Sequence, residues 1–203
     1  MTKRNVLLAL AGLAVGVAVS FALLKGPSQP GPVAGEEQTT GKALVGGPFT
    51  LTEHTGKRVT EKDFLGKYLV VFFGFTNCPD ICPSGLQVLS AALEKIGPKA
   101  DLLTPVFITL DAKRDTPEKL ALYLKSFDKR FVGLTGSDDE VAAAAKTYRV
   151  YYQKVTDEKN PDSYSYDHAA LYYVMGKDGA FIAPIAHTND VDEVASALDK
   201  AVQ

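Results

Sequence analysis

Residues 68–86 constrain the fold more than any other part of this 203-residue chain. The segment begins with an apolar run of β-branched and aromatic residues, which predicts a strand buried on both faces. A polar, proline-containing turn follows, and the apolar positions after Ser84 then recur at helical spacing. The only two cysteines, Cys78 and Cys82, lie at this strand-to-helix junction. Because ligands in open α/β sheets bind at the carboxyl ends of strands, the junction is the predicted functional site.

The rest of the chain alternates between strand and helix patterns around this unit. Two adjacent βαβ units imply parallel strands with right-handed crossovers. A strand hairpin after them predicts an antiparallel edge, so we expect an α/β, thioredoxin-like fold with an N-terminal β-hairpin extension. The predicted parts are a hairpin over 48–60, a β-α-β-α-β-α run over 68–148, a tyrosine-rich edge strand over 150–155, a polar loop over 156–165, a hairpin over 169–185 and a helix that Asn189-Asp190 begins.

The N-terminus predicts a single transmembrane helix before the domain. Residues 6–24 carry no charged side chain. At about 1.5 Å per residue they would span roughly 28 Å, close to the thickness of a bilayer's hydrocarbon core. A cleaved secretory signal is the alternative, although its apolar region is usually only about 7–15 residues. We expect residues 1–25 to be a membrane anchor, 26–47 a flexible tether rich in Gly and Pro, and 48–203 the folded domain.

Charge places the domain and limits its partners. Lys3 and Arg4 precede the span, so we expect the domain on the extracytoplasmic side, the periplasmic side of a bacterial inner membrane or its equivalent. The chain has 22 Lys and Arg against 24 Asp and Glu and no basic stripe, so nucleic acid is not an expected partner.

The cysteine pair is predicted to be chemical and not structural. An extracytoplasmic domain with two cysteines would by default form one disulfide, but so short a loop constrains the unfolded chain little. Residues four apart on a helix have Cβ atoms roughly 5–6 Å apart. Cys78 and Cys82 could therefore hold one metal ion or form a disulfide, and the helix N-terminus would lower a thiol pKa.

His168 is the candidate third ligand, because it lies where the polar loop meets a strand expected near the central one. A hydrogen-bonded structural histidine is the alternative. We expect His54 and His187 to be solvated. Two thiolates and an imidazole suit three-coordinate copper(I), whereas structural zinc normally takes four ligands.

Copper(II) would require a further oxygen ligand. Asp80, Asp111 and Asp167 are the possible sources, although each is also explained as a turn, cap or supporting residue. Lys113-Arg114 is interpreted as a solvated turn.

Three motifs together resemble the Sco/SenC/PrrC family of membrane-anchored copper proteins, which take part in cytochrome c oxidase assembly. They are Phe73-Gly-Phe-Thr-Asn-Cys-Pro-Asp-Ile-Cys-Pro83, Asp111-Ala-Lys-Arg-Asp-Thr-Pro117 and Asp167-His168. The resemblance covers the domain from about residue 48 and includes the N-terminal span. Two departures are Asn77, where the family often has His, and Ala112, where it usually has Pro.

The resemblance implies a thioredoxin-like fold and copper held by Cys78, Cys82 and His168. It also implies delivery of copper to the dinuclear centre of cytochrome c oxidase subunit II. The first hypothesis is thus a copper chaperone, not an enzyme, that needs a copper donor and a thiol reductant. The alternative is a membrane-anchored thiol–disulfide oxidoreductase acting on oxidase or other extracytoplasmic cysteines. The Cys-x-x-x-Cys spacing and the distant imidazole favour the chaperone, since thioredoxin-type enzymes use Cys-x-x-Cys.

Overall fold

The computed structural model describes residues 44–157 and 160–202. The predicted membrane span and most of the predicted tether lie outside these described residues. Among the helices within them, none combines the length and the apolarity that crossing a bilayer requires.

Strands and helices alternate through the middle of the chain, as predicted. The capping signals mark the helix starts: Thr116 and Ser137 each accept a backbone N–H three residues on, and Asp190 accepts two. The elements are β1 (Thr50–Glu53), β2 (Arg58–Thr60), β3 (Tyr68–Gly74), α1 (Ile81–Lys95), β4 (Leu103–Thr109), α2 (Pro117–Leu124), β5 (Val132–Thr135), α3 (Asp138–Thr147), β6 (Tyr152–Asp157), β7 (Asn160–His168), β8 (Leu171–Met175), β9 (Phe181–Ala186) and α4 (Val191–Ala201).

Seven of the described strands form one sheet in the order β2-β1-β5-β4-β3-β8-β9. β3 pairs parallel with β4 and antiparallel with β8, so Val71 lies between Val106 and Tyr173. All seven residues of β3 are buried, which confirms the prediction of a strand covered on both faces. The parallel β3-β4-β5 portion and the β1–β2 hairpin are also as predicted.

Helices cover both faces of the sheet. Side chains of β3 alternate between the two layers, with Val70 and Phe72 on one face and Val71 and Phe73 on the other. The first layer contains Leu86, Leu89 and Leu93 of α1 with Val194 and Leu198 of α4, and the second contains Val141, Ala144 and Ala145 of α3.

Helix α1 begins three residues earlier than the apolar spacing predicts. It starts at Ile81, which places Cys82 and Pro83 in the first turn. Proline is tolerated there because the first N–H groups of a helix have no partner within the helix. Cys82 is thus part of the helix, and Cys78 lies in the loop before it.

The predicted polar loop over 156–165 is wrong, whereas the predicted short strand over 150–155 is confirmed as β6. β6 and β7 pair with each other in a separate two-stranded ribbon, with Tyr152 opposite His168. Burial alternates along the end of β7: Tyr164, Tyr166 and His168 are half-buried, and the residues between them are exposed. An alternation of this kind, with a period of two residues, indicates a strand, although the polar composition of the segment is typical of a loop. The β6–β7 ribbon ends at His168.

Candidate metal centre

The loop after β3 brings the two sulfurs to the start of α1. The Cys78 N–H donates to the Phe75 carbonyl (3.2 Å), which closes a turn, and the Cys82 N–H donates to Cys78 Sγ (3.4 Å). Asp80, at the N-cap position, makes no capping bond with its own side chain. The Cys78 sulfur therefore takes the place of a capping oxygen, which favours its anionic form at the positive end of the helix.

Cys82 is fully buried, whereas Cys78 is half-buried. The Cys82 sulfur fits against Gly74, the last residue of β3. A Cβ atom at Gly74 would lie 2.8 Å from Cys82 Sγ and 3.0 Å from a ring carbon of Phe107. Because Gly74 has no side chain, there is room for the sulfur. The sequence signal for this role is a glycine at the end of a buried strand, which often marks a close approach of another group.

His168 Nε2 lies 3.7 Å from Cys82 Sγ, across 86 residues of sequence. Its Nδ1 lies 3.1 Å from the Ala169 carbonyl oxygen. A carbonyl oxygen only accepts, so Nδ1 carries a proton, and Nε2 is the ring nitrogen that faces the sulfur. The rings of Phe72 and Phe75 contact the imidazole edge-on, with centroids 6.3 and 6.0 Å away.

The separation of sulfur and nitrogen is compatible with a shared metal ion. Zinc lies about 2.3 Å from a thiolate sulfur and about 2.0–2.1 Å from an imidazole nitrogen. With a sulfur–metal–nitrogen angle of about 120°, such bonds place the two donor atoms about 3.8 Å apart. The observed separation of Cys82 Sγ and His168 Nε2 is 3.7 Å. Across the described residues, however, no group of three or more His, Cys, Asp or Glu side chains has the geometry to hold a metal ion. The ligand set Cys78, Cys82 and His168 therefore stays a prediction.

The two cysteines differ in protonation. The pKa of Cys78 is lowered to about 4, mainly because the Cys82 thiol donates a hydrogen bond to its sulfur. Hydrogen bonds from His168 and from backbone N–H groups lower this pKa further, whereas partial burial raises it. The pKa of Cys82 is raised, because its proton is held in that bond and because the sulfur is buried. Near neutral pH the pair is one thiolate and one thiol.

The three candidate carboxylates have different surroundings. Asp111 is buried, pairs with the Arg114 guanidinium and accepts a hydrogen bond from the Tyr164 hydroxyl (3.0 Å). Asp80 is exposed, and Asp167 lies on the exposed side of β7, the face opposite to His168. These positions favour the supporting interpretation for Asp111, and an oxygen ligand for copper(II) stays a prediction.

Arg114 corrects one prediction and explains how β7 is held. It was expected in a solvated turn, but its Nη1 donates to the Tyr164 carbonyl (3.1 Å) and its guanidinium carbon lies 3.7 Å from the centre of the Tyr164 ring. Lys113 is exposed, as expected. The turn after β4 is thereby joined to the ribbon that carries His168.

The remaining histidines are not simply solvated. Both are half-buried: His54 Nδ1 accepts the Gly133 N–H (3.1 Å), and His187 Nε2 lies 3.4 Å from Ser84 Oγ on the first turn of α1.

Sequence reasoning missed Asp115, which is fully buried behind the cysteine loop. It accepts hydrogen bonds from the Thr76 N–H (2.9 Å) and hydroxyl (2.5 Å) and from the Thr109 hydroxyl (2.7 Å). Its partner Thr76 is 39 residues away, so no local pattern reveals the contact.

Comparison with known proteins gives one consistent family. The SCO1/SenC family model matches residues 37–203. The chain is 40% identical over 194 residues to the human protein described as SCO1 homolog, mitochondrial. That match covers 92% of this chain and 64% of the human protein, so the chain spans less than two thirds of that relative.

Solved structures agree in fold. The structure of Bradyrhizobium japonicum ScoI with copper bound is 41% identical, with a TM-score of 0.71 over 77% of this chain and 99% of that chain. BsSco, described as a member of the Sco family of cytochrome c oxidase assembly proteins, is 22% identical with a TM-score of 0.60 over 80% and 96%. The predicted thioredoxin-like α/β fold is confirmed for the described domain.

Proposed function

The chain belongs to the SCO1/SenC family, and from that premise we propose that it is a copper chaperone, which binds copper as cargo and transfers it during cytochrome c oxidase assembly. The observation that carries the proposal is the His168 imidazole 3.7 Å from the sulfur of a thiolate–thiol pair. The 41% identity to a ScoI structure that contains copper supports the same metal.

The proposed ligands are Cys78, Cys82 and His168. Cys78 is already a thiolate and would contact the metal first, because it is half-buried and its pKa is lowered. Cys82 must release its proton as the metal binds, so binding releases a proton to solvent. Soft sulfur donors and a low ligand number favour copper(I), and copper(II) would need the further oxygen.

The proposed recipient is the dinuclear copper centre of cytochrome c oxidase subunit II. The human relative is described as mitochondrial, and we propose that this domain lies on the extracytoplasmic face of its membrane, anchored by residues 1–25. Thiols oxidise in such compartments. A thiol reductant and a copper donor are therefore also proposed partners.

Thiol–disulfide exchange is the second candidate function, and the asymmetric cysteine pair favours it. A half-buried thiolate next to a buried thiol is the arrangement of an attacking and a resolving cysteine. In that case Cys78→Ser abolishes exchange with a model disulfide, while His168→Ala leaves it largely unchanged.

Copper(I) affinity tests the chaperone proposal. The reduced full chain in detergent should bind one copper(I) in competition with a chromophoric chelator. We expect His168→Ala to weaken binding by roughly two orders of magnitude, about 3 kcal/mol, because one of three ligands is lost. His187→Ala is the matched control, since this second half-buried histidine also lies against α1, and it should bind as the unaltered chain does. Equal affinity of the His168→Ala variant would contradict the proposal.

A further inference from the structure

A polar cluster centred on the buried Asp115 fixes the loop that leads to Cys78. We name it the Asp115 clamp, and it consists of Thr76, Asn77, Thr109, Asp115 and Lys119. Asp115 has no exposed surface. One of its oxygens accepts the Thr76 N–H and the Thr109 hydroxyl, and the other accepts the Thr76 hydroxyl. The carboxylate thus joins the end of β4 to the residue two before Cys78.

Lys119 completes the clamp from α2. Its Nζ lies 3.4 Å from Asp115 Oδ1 and donates to the side-chain oxygen of Asn77 (2.9 Å). The backbone N–H of Lys119 is itself bonded to the Thr116 hydroxyl (3.3 Å), so the lysine projects from a capped helix turn. Asn77 directly precedes Cys78 and is otherwise exposed.

The energetics of burial make this cluster a rigid support. A buried carboxylate is costly unless it is paired and hydrogen-bonded, so each partner of Asp115 is strongly held in place. Thr76 and Asn77 therefore cannot move without breaking charge-assisted hydrogen bonds. Because Cys78 follows them directly, its sulfur is held where the Cys82 N–H reaches it.

We propose that Asp115 and Lys119 are positioning residues for the metal centre, acting on Cys78 through Thr76 and Asn77. This inference rests on the proposed copper-binding function. The Lys119–Asn77 contact uses an asparagine where the resemblance leads us to expect histidine, so this half of the clamp is a feature of this chain. The clamp keeps the loop in the arrangement in which the Cys78 sulfur accepts the Cys82 N–H.

Lys119 is also the cation of the clamp. Lys119 offsets the negative charge of Asp115, and without it the buried carboxylate lacks its cation. Loss of Lys119 should therefore loosen the loop from Thr76 to Cys78 in the metal-free chain as well.

Two substitutions that remove the same charge test the proposal. Lys119→Met removes the clamp's cation, and Lys113→Met removes an exposed lysine from the turn before α2. With the full chain in detergent, we expect Lys119→Met to release copper(I) to a chelator about tenfold faster. In the metal-free chain it should speed hydrogen–deuterium exchange of the Thr76 and Cys78 backbone amides, which are hydrogen-bonded in the intact loop. Lys113→Met should match the unaltered chain in both assays, and urea unfolding of each variant checks that the fold is kept.

A double-mutant cycle with Asn77→Ala separates positioning from a general effect of charge. If Lys119 acts through Asn77, the loss caused by Lys119→Met should be much smaller in the Asn77→Ala background. Additive effects would overturn the assignment of that contact. Thr76→Val, which removes one of the hydroxyl bonds to Asp115, should also speed copper release, and an unchanged rate would overturn the role of Asp115.

The outcomes distinguish this inference from the proposed function. If His168→Ala loses copper while Lys119→Met behaves as Lys113→Met does, the copper function stands and the clamp's positioning role falls. If the unaltered chain binds no copper, the proposed function fails, and unchanged exchange of the Thr76 and Cys78 amides in Lys119→Met would overturn the clamp as well.

Discussion

Cys78 and Cys82 have the same side chain but opposite protonation, and their positions explain why. Cys78 lies before the first turn of α1 and accepts hydrogen bonds, whereas Cys82 lies within that turn, buried against Gly74. The sequence predicts a lowered thiol pKa at this helix end, but not which cysteine has it. Assigning the lowered pKa to Cys78 required knowing that α1 begins at Ile81. The residue at which the helix begins decides which sulfur accepts the free N–H groups of its first turn.

Alkylation should report this asymmetry. The pKa of Cys78 is lowered to about 4, so its thiolate fraction is nearly complete above pH 6 and falls only as the pH approaches 4. In the reduced chain we expect a Cys78 iodoacetamide rate that is flat between about pH 6 and 8. In Cys82→Ala, the thiol that donates to Cys78 is removed, so the rate should rise with pH across that range. A steep rise with pH in the unaltered chain would contradict the assignment.

The β6–β7 ribbon is the element that brings His168 to the sulfurs, and it is held to the turn after β4 through Tyr164. The Tyr164 hydroxyl donates to buried Asp111, and Arg114 and Lys154 both lie over its ring, at 3.7 and 3.6 Å from the ring centre. Strand β7 was missed because Ser, Asp, Pro and Asn dominate residues 156–165, and that composition is typical of loops. The alternation of Tyr164, Tyr166 and His168 was the available signal.

Removal of one hydroxyl should loosen the ribbon. Tyr164→Phe deletes the hydrogen bond to Asp111, and bonds to charged groups contribute about 1.5–3 kcal/mol. We expect backbone amides of β7 to exchange roughly tenfold to a hundredfold faster, measured by hydrogen–deuterium exchange. Tyr151→Phe is the control, because the Tyr151 hydroxyl bonds only to the exposed Gln153 side chain among the contacts described. Equal exchange in the two variants would show that Tyr164 does not anchor the ribbon.

At the scale of the whole domain, the sheet explains how segments far apart in sequence meet. β3 and β8 are antiparallel neighbours, so the end of β3 and the start of β8 lie at the same edge. The cysteine loop leaves that edge after Gly74, and His168 arrives there just before Leu171. This topology explains why His168 lies next to Cys82, as its predicted position near the central strand led us to expect.

Local patterns predicted what depends on neighbours in sequence: the buried β3 run, the helix caps at Thr116, Ser137 and Asp190, and the hairpin of β8 and β9. These patterns failed to predict the surroundings of side chains whose partners are far away in sequence. Asp115 was missed because its partner Thr76 lies 39 residues away, and Arg114 was predicted to be solvated although Tyr164 covers it. Contacts between side chains that are tens of residues apart produce no periodic pattern in the sequence.

X-ray absorption at the copper edge, on the reduced full chain loaded with one copper(I), tests the central claim most directly. The proposed site predicts two sulfur ligands and one imidazole nitrogen, and the nitrogen contribution should disappear in His168→Ala while it persists in His187→Ala. A spectrum with sulfur ligands alone, or a nitrogen contribution that survives in His168→Ala, would contradict the three-ligand centre.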